Sequence, residues 1–459
     1  MSKHPVKIEN ADYVFTMNDE RRIIRNGSLI IVGNRITHIG TASELANVPV
    51  EQTIDARGRI VTPGFINCHD HLYPQIMRGL FLDELSPQYV EESCAIRNAM
   101  SEEEEYIGIV SSLTEHLKNG TTTILNPSDS QRHEAAFRAY ELTGARVVMG
   151  RNVTDMANEV YVPVRPTRDA LGELEHIIKT YNGQCNGRVS AWVMLAYASS
   201  DCSAEFASDA KRLADAYGVG MTFHQSARQH HVDHCMREYG MRPVEYLEKI
   251  GVVGPNVVLG HGILLSDIEI DILARTQTRV VTCPTTSLRC GYGLSQHGRL
   301  PEMLQRGVIV GLGTDSADLG SADLMRTMCL TAGIYKDARQ NTSLVHAETA
   351  IEMATIHGAK VLGLDHEIGS LEVGKKADVV ILNTEKLEWQ PLVNPVNMLV
   401  YNADGRSVET VIVDGEVKIK HGAPTFISEN KLIDELKSAA QQLLHRSHHR
   451  VPSRWPIQG

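Results

Sequence analysis

Residues 66–74 read INCHDHLYP and place two histidines, His69 and His71, one residue apart directly after the apolar run RIVTPGF. In an extended strand, residues i and i+2 point to the same face, so both imidazoles aim at one spot in chelate geometry. The pair alone proves little, because short motifs recur by chance. Three further residues end apolar runs in the same way: His224 in VGMTFHQSA, His261 in VVLGHGIL and Asp315 in VIVGLGTDSA. Taken singly, such a histidine is a satisfied core residue and GTDSA is a capped turn. Five of them at corresponding places describe a metal site with groups for proton transfer.

The elements that must bring them together follow from the pattern of the chain. Eight short apolar runs alternate with amphipathic stretches: RIVTPGFINCHDH, GTTTILNPS, ARVVMGRNV, RVSAWVMLA, VGMTFHQSA, NVVLGHGIL, RVVTCPTTS and VIVGLGTDSA. Eight repeated β-α units predict a (β/α)8 TIM barrel, whose active-site residues sit at the C-terminal ends of its strands. His69 and His71 then end the first strand, His224 the fifth, His261 the sixth and Asp315 the eighth. The alternative is a doubly wound open sheet, but no G-x-G-x-x-G follows the first strand. SEEEEYIGIVSSLTEHLKNG fits an intervening helix, capped by Ser101 and ended at Gly120, with Glu102 to Glu105 on a solvated first turn.

Both ends of the chain read differently. VKIENADYVF, RNGSLIIVGNRITHIG and QTIDARGRIV are short alternating segments with Asn-Gly and Gly-Asn turn signals. GSLEVGKKADVVILN and RSVETVIVDGEVKIKHG repeat that pattern near the other end, with Asp414-Gly415 as a tight hairpin. The expected organisation is a composite β-sandwich domain from residues 1–61 and 367–425, a barrel over residues 62–366, and a C-terminal helix and tail over residues 426–459.

Composition narrows the class of partner. In 459 residues, 42% are hydrophobic and 22% charged, which describes a soluble globular α/β protein with a large core. The net charge of −11 disfavours nucleic acid and anionic membrane surfaces as partners. The first residues lack a charged-then-apolar signal region and no eighteen apolar residues run unbroken, so a cytoplasmic location is expected. The eight cysteines are scattered without C-x-x-C and read as reduced and mostly buried.

With these motifs in place, the chain resembles the metal-dependent amidohydrolase superfamily, in its triazine-hydrolase and nucleoside-type deaminase branch. The resemblance runs through IDARGRIVTPGFINCHDHL, GMRPVEYLEKIGVVGPNVVLGHGILLSDIEI, VVTCPTTSL, RGVIVGLGTDSA and MATIHGAKVLGLDHEIGSLEVGKKADVVIL. It implies that His69, His71, His224 and Asp315 bind one divalent metal ion, and that His261 orients the attacking water or joins the metal shell. Two-metal members use a modified lysine at the end of the fourth strand; RVSAWVMLAYASS has none, which implies one ion. Imidazole and carboxylate ligands suit Zn, Fe(II), Co or Mn. A bound divalent ion lowers the pKa of water from about 15.7 toward about 7. Asp315 then moves the proton and His261 stabilises developing negative charge, giving hydrolysis at an sp² carbon of a small molecule. A homodimer or higher homo-oligomer is the family expectation.

Two departures bear on the substrate. The family's deaminases usually carry a glutamate three residues after the fifth-strand histidine, where it protonates a ring nitrogen; here the residue is Ala227. Where Ser-Asn usually follows Cys-Pro after the seventh strand, CPTTSL has Thr286 and Ser287. Loss of the acid favours a urea, carbamate, thiocarbamate or amide, whose carbonyl is already polarised. The alternative is an aminohydrolase acting on a triazine, purine or pterin, and a third reading is a barrel that binds a ligand without turnover. Tyr73, Gln75 and Arg78 are expected to line the pocket. His230, His231 and His234 read as a hydrophilic rim segment, with His231 as a substrate contact that replaces the missing acid. The tail LLHRSHHRVPSRWPIQG reads as an exposed or subunit-bridging extension.

Overall fold

The computed structural model describes residues 5–81, 87–129, 132–158 and 162–456. All eight expected strands form, and they pair in parallel in chain order. Phe65–Asn67 is followed by Thr121–Ser128, Arg146–Val153, Val189–Ala191 with Val193–Leu195, Met221–Gln225, Val257–His261, Arg279–Thr282 and Val310–Leu312. Helices cover the outside, so both faces of the strands are buried, as along the whole of Thr121–Ser128. Closure comes from a second short ladder in which Asp315–Ser316 pairs with Asp70–His71. The Cys68 N–H also donates to the Leu312 carbonyl at 2.8 Å.

A separate nine-stranded mixed sheet is built from both termini. Val6–Phe15, Ile23–Val32, Arg35–Thr41, Gln52–Asp55 and Arg59–Pro63 join Val379–Asn383, Val408–Val413, Glu416–Lys420 and Ala423–Pro424, and the two groups meet where Arg59–Pro63 pairs with Val379–Asn383. Asp414 and Gly415 take φ of +50° and +80° between paired Val413 and Glu416, the two-residue hairpin expected of Asp-Gly. Asn26-Gly27 does not end a strand. It lies inside Ile23–Val32, with Asn26 at φ +47° and Gly27 opposite Ala11 at an irregularity of the ladder.

The helix Glu102–Lys118 has the expected Ser101 cap, completed by the Glu104 side chain accepting from the Ser101 N–H at 2.7 Å. Its acidic first turn is only half solvated. Glu104 also pairs with Arg446, and Glu105 is buried against Arg132 at 3.2 Å. The C-terminal helix Glu429–Ser447 lies on this helix through buried Leu432, Ala439 and Leu443, with Lys118 paired to Glu429. LLHRS is thus a last helical turn, and the His449 ring beyond it lies 3.3 Å from the Leu80 carbonyl.

The terminal sheet is fastened to the barrel through Arg146, the first residue of the third strand. Its guanidinium donates to both carboxylate oxygens of Asp378, at 2.9 and 3.1 Å, and Asp378 also accepts from the Asp414 N–H. Both side chains are buried. Asp378→Ala removes the bidentate partner of a buried guanidinium, leaving it Asp414 at 3.7 Å, and is expected to lower the unfolding free energy by about 3 kcal/mol. This lies at the end of the barrel remote from the metal-site candidates, so metal content should be unchanged. Urea unfolding and elemental analysis on the same preparation check both statements.

Candidate active site

The first strand is not continuously extended through the two histidines. It stops at Asn67 and resumes at Asp70, and the Asn67 side chain bridges the break. It donates to Thr314 Oγ1 at 2.6 Å and accepts from the N–H groups of Thr314 and His69 at 3.2 and 3.3 Å. Across this break the His69 and His71 rings still converge, with centroids 5.2 Å apart. His224 lies in the fifth strand, and His261 ends the sixth. His261 and Asp315 take φ of +75° and +76°, a region that residues other than glycine seldom occupy. Such conformations concentrate at functional sites.

The convergence is tight. His71 Nε2 lies 3.1 Å from His224 Nε2, His69 Nε2 lies 3.2 Å from Asp315 Oδ1, and His261 Nε2 lies 3.7 Å from the same oxygen. One ligand atom each from His69, His224, His261 and Asp315 falls within 4.8 Å of all the others. Two nitrogens each about 2.0–2.1 Å from a tetrahedral ion stand roughly 3.3 Å apart, so these spacings suit ligation. The buried His69 Nε2, on the side of the ring that faces the cluster, has no hydrogen-bond partner among the described residues. A buried polar atom without a partner requires a reason, and an ion beside it supplies one.

Electrostatics favour the same use. Burial holds the rings of His71 and His224 below their ordinary range and brings His261 down to about 4, so these rings keep lone pairs at neutral pH. Burial opposes ionisation of Asp315, but the His261 and His69 rings outweigh it and keep the carboxylate charged. Between the two first-strand histidines, Asp70 turns outward and meets buried His116 at 2.5 Å. Asp129, after the second strand, accepts from Asn152 at 2.7 Å and stands 3.7 Å from His71 Nδ1.

Over the cluster lies a cavity of about 150 Å³, walled by His71, His224, His261 and Asp315 together with Tyr73, Arg97, Asp129, Tyr197, Arg228, Tyr292 and Asp318. Tyr73 is therefore where expected. Gln75 and Arg78 are not on this wall. The chain enters a short 3-10 helix at Tyr73, which turns both toward Glu115; they donate to it at 3.0 and 2.7 Å. His231 is buried behind Tyr197, with ring centroids 4.2 Å apart, and meets the cavity through that ring. His230 is exposed and His234 half-buried on the same helix. Ala227 is buried, and Thr286 and Ser287 bond to backbone carbonyls of Thr314 and Cys283.

Wall residues that escaped the sequence reading include Arg97, Asp129, Tyr197, Arg228, Tyr292 and Asp318. Asp129, Tyr197, Arg228 and Asp318 follow the second, fourth, fifth and eighth strands within a few residues. The rule that located the histidines would have found them had it been applied to every residue type. Arg97 lies in a helix and Tyr292 in a loop beyond a helix, and neither carries such a signal.

The family model for the amidohydrolase family matches residues 60–418. A 5'-deoxyadenosine deaminase of Methanosarcina acetivorans is 31% identical over 442 residues, 96% of this chain and 98% of that one. A 5-methylthioadenosine/S-adenosylhomocysteine deaminase of Thermodesulfovibrio yellowstonii is 30% identical over 434 residues, 93% of this chain and 96% of that one. Among solved structures, an atrazine chlorohydrolase from Arthrobacter aurescens complexed with zinc superposes with a TM-score of 0.87 at 22% identity, covering 95% of this chain and 100% of that one. An adenosine deaminase from Xanthomonas campestris with bound zinc gives 0.87 at 21% identity, covering 96% and 98%.

The Asp70–His116 pair fixes the backbone between two candidate ligands without touching the cavity. His116→Ala is expected to weaken retention of a divalent ion about 10–100-fold. Competition against a chelator, with unfolding followed in parallel, separates that effect from loss of the fold.

Proposed function

This chain belongs to the amidohydrolase family, a family of metal-dependent hydrolases acting on carbon–nitrogen bonds other than peptide bonds, and from that premise we propose how its site works and on what. His69, His71, His224 and Asp315 hold a single divalent ion, with Zn, Fe(II), Co and Mn all suited to the donor set. The residues that end the fourth strand, Leu195 and Ala196, offer no bridging ligand for a second ion. When bound, the ion supplies the Lewis acidity that makes water nucleophilic near neutral pH. Asp315 accepts a proton from the attacking water and delivers it to the leaving nitrogen. His261 faces the same space and donates to the oxygen on which negative charge develops. The observation that carries this reading is the convergence of His69, His224, His261 and Asp315 on one another, with His71 against His224, beside one small cavity.

We place amino-substituted N-heterocycles first among substrates, because relatives that match over nearly their whole length are named as deaminases of adenine nucleosides. Ureas, carbamates and amides form the second class. Ala227 favours them, since a carbonyl needs no ring-protonating acid.

Purified protein should contain about one equivalent of a divalent transition metal, lost on chelation and restored with activity on reloading. Absence of stoichiometric metal after reconstitution would overturn the assignment. Asp315→Asn and His261→Ala should each lower kcat by about 10²–10⁴-fold. A panel of amino-heterocycles beside ureas, carbamates and amides, read out as ammonia against larger amines, ranks the two substrate classes.

A further inference from the structure

Addition of water to a C=N bond of an aromatic ring drives an electron pair onto the ring nitrogen, and that nitrogen must gain a proton as the oxygen attaches. Asp315 is occupied with the proton bound for the leaving group, and the methyl of Ala227 can donate nothing. Two other carboxyl groups among the described residues face the cavity, Asp129 and Asp318. Asp129 is fixed as an acceptor, taking bonds from Asn152 at 2.7 Å and the Tyr73 hydroxyl at 3.4 Å with the Arg97 guanidinium 3.9 Å away.

Asp318 is placed differently. It follows the eighth strand three residues beyond Asp315, is buried, and lies on the same wall as Asp315, His261 and Tyr292. Ser316 Oγ donates to its Oδ1 at 2.5 Å, while Arg289 donates to its backbone carbonyl at 3.0 Å and so holds the loop rather than the carboxylate. Resting on the amino-heterocycle reading, we infer that Asp318 is a catalytic residue that protonates the ring nitrogen of the substrate. Burial pushes its carboxyl up to about 6, which suits a group that must both give and regain a proton near neutrality.

The step balances. Water oxygen bonds to the ring carbon, and the C=N electron pair moves to the ring nitrogen, which takes the Asp318 proton. One water proton passes through Asp315 to the amino nitrogen. The C–N bond breaks, ammonia leaves and C=O forms, and the remaining hydroxyl proton returns to Asp318. The net change is amino-heterocycle plus water to lactam plus ammonia.

The test uses metal-loaded protein and three chains: wild type, Asp318→Asn and Asp318→Glu, all with metal content measured. On an amino-heterocycle, Asp318→Asn should lose at least about 100-fold in kcat with a smaller change in KM, and Asp318→Glu should keep most of the rate. A ring N-methylated cationic analogue needs no ring proton, so Asp318→Asn should be spared there. Calorimetry of a ring analogue lacking the amino group, in two buffers of different ionisation enthalpy, should show proton exchange on binding to wild type and none with Asp318→Asn. Wild-type turnover by Asp318→Asn, equal losses on both ring substrates, or loss of metal from both variants would each overturn the inference and leave the heterocycle reading intact. A wild type that releases no ammonia from any heterocycle yet cleaves ureas or carbamates would overturn that reading, and Asp318's role with it.

Discussion

The site depends on the short parallel ladder that joins residues 315–316 to residues 70–71. It is the last contact needed to close the barrel, and it is also what sets Asp315 beside His69. The Asp315 and Ala317 N–H groups donate to the His69 and His71 carbonyls at 2.9 and 3.2 Å, so backbone pairing and side-chain convergence are one arrangement. The strand break at Cys68 and His69 is tolerated because Asn67 supplies from its side chain the bonds the ladder lacks there. His261 and Asp315 sit at positive φ, each at a cost of about 1–3 kcal/mol, and the closed barrel around them holds that conformation.

Closure creates an electrostatic problem that the surrounding shell resolves. Four imidazoles and a carboxylate crowd together at largely buried positions, and the rings cannot all carry charge there. Burial keeps three of them neutral and donor-ready, and leaves Asp315 as the charged member. Around this core Asp70 bonds to His116, and Asp129 lies 3.9 Å from the Arg97 guanidinium. Asp318, with Arg289 on its backbone carbonyl, has its proton affinity raised by burial.

Most of the scaffold was legible from the chain because it follows from two periodicities. Apolar runs alternating with amphipathic stretches marked the barrel units, four of the runs carrying His or Asp, and all eight strands form where those runs lie. The ligand candidates were found because imidazoles at strand ends are chemically conspicuous. The remaining wall residues were missed for the opposite reason: tyrosines, arginines and further aspartates are common in loops, and which of them face inward is decided by tertiary packing. Gln75 and Arg78 show the same limit, since proximity in sequence to His71 says nothing about a 3-10 turn that points them at Glu115. Glu105, expected in solvent, is buried because Arg132, distant in sequence, reaches it.

That division also locates substrate choice. The candidate ligands come from strand ends, and strand ends persist wherever the barrel does: structures only 21–22% identical superpose with a TM-score of 0.87. Arg228, Tyr292 and Asp318 come instead from segments beyond the fifth, seventh and eighth strands, and Arg228 and Tyr292 bond to each other at 3.1 Å across the cavity wall. Such segments vary without disturbing the sheet. A likeness of fold therefore carries the strand-end scaffold from one protein to another, but neither the chemistry nor the substrate placed on it. An alanine after the fifth strand where an acid is expected, and an aspartate on the cavity after the eighth, are differences of that second kind: they lie in the segments beyond the strands and leave the strand-end cluster unchanged.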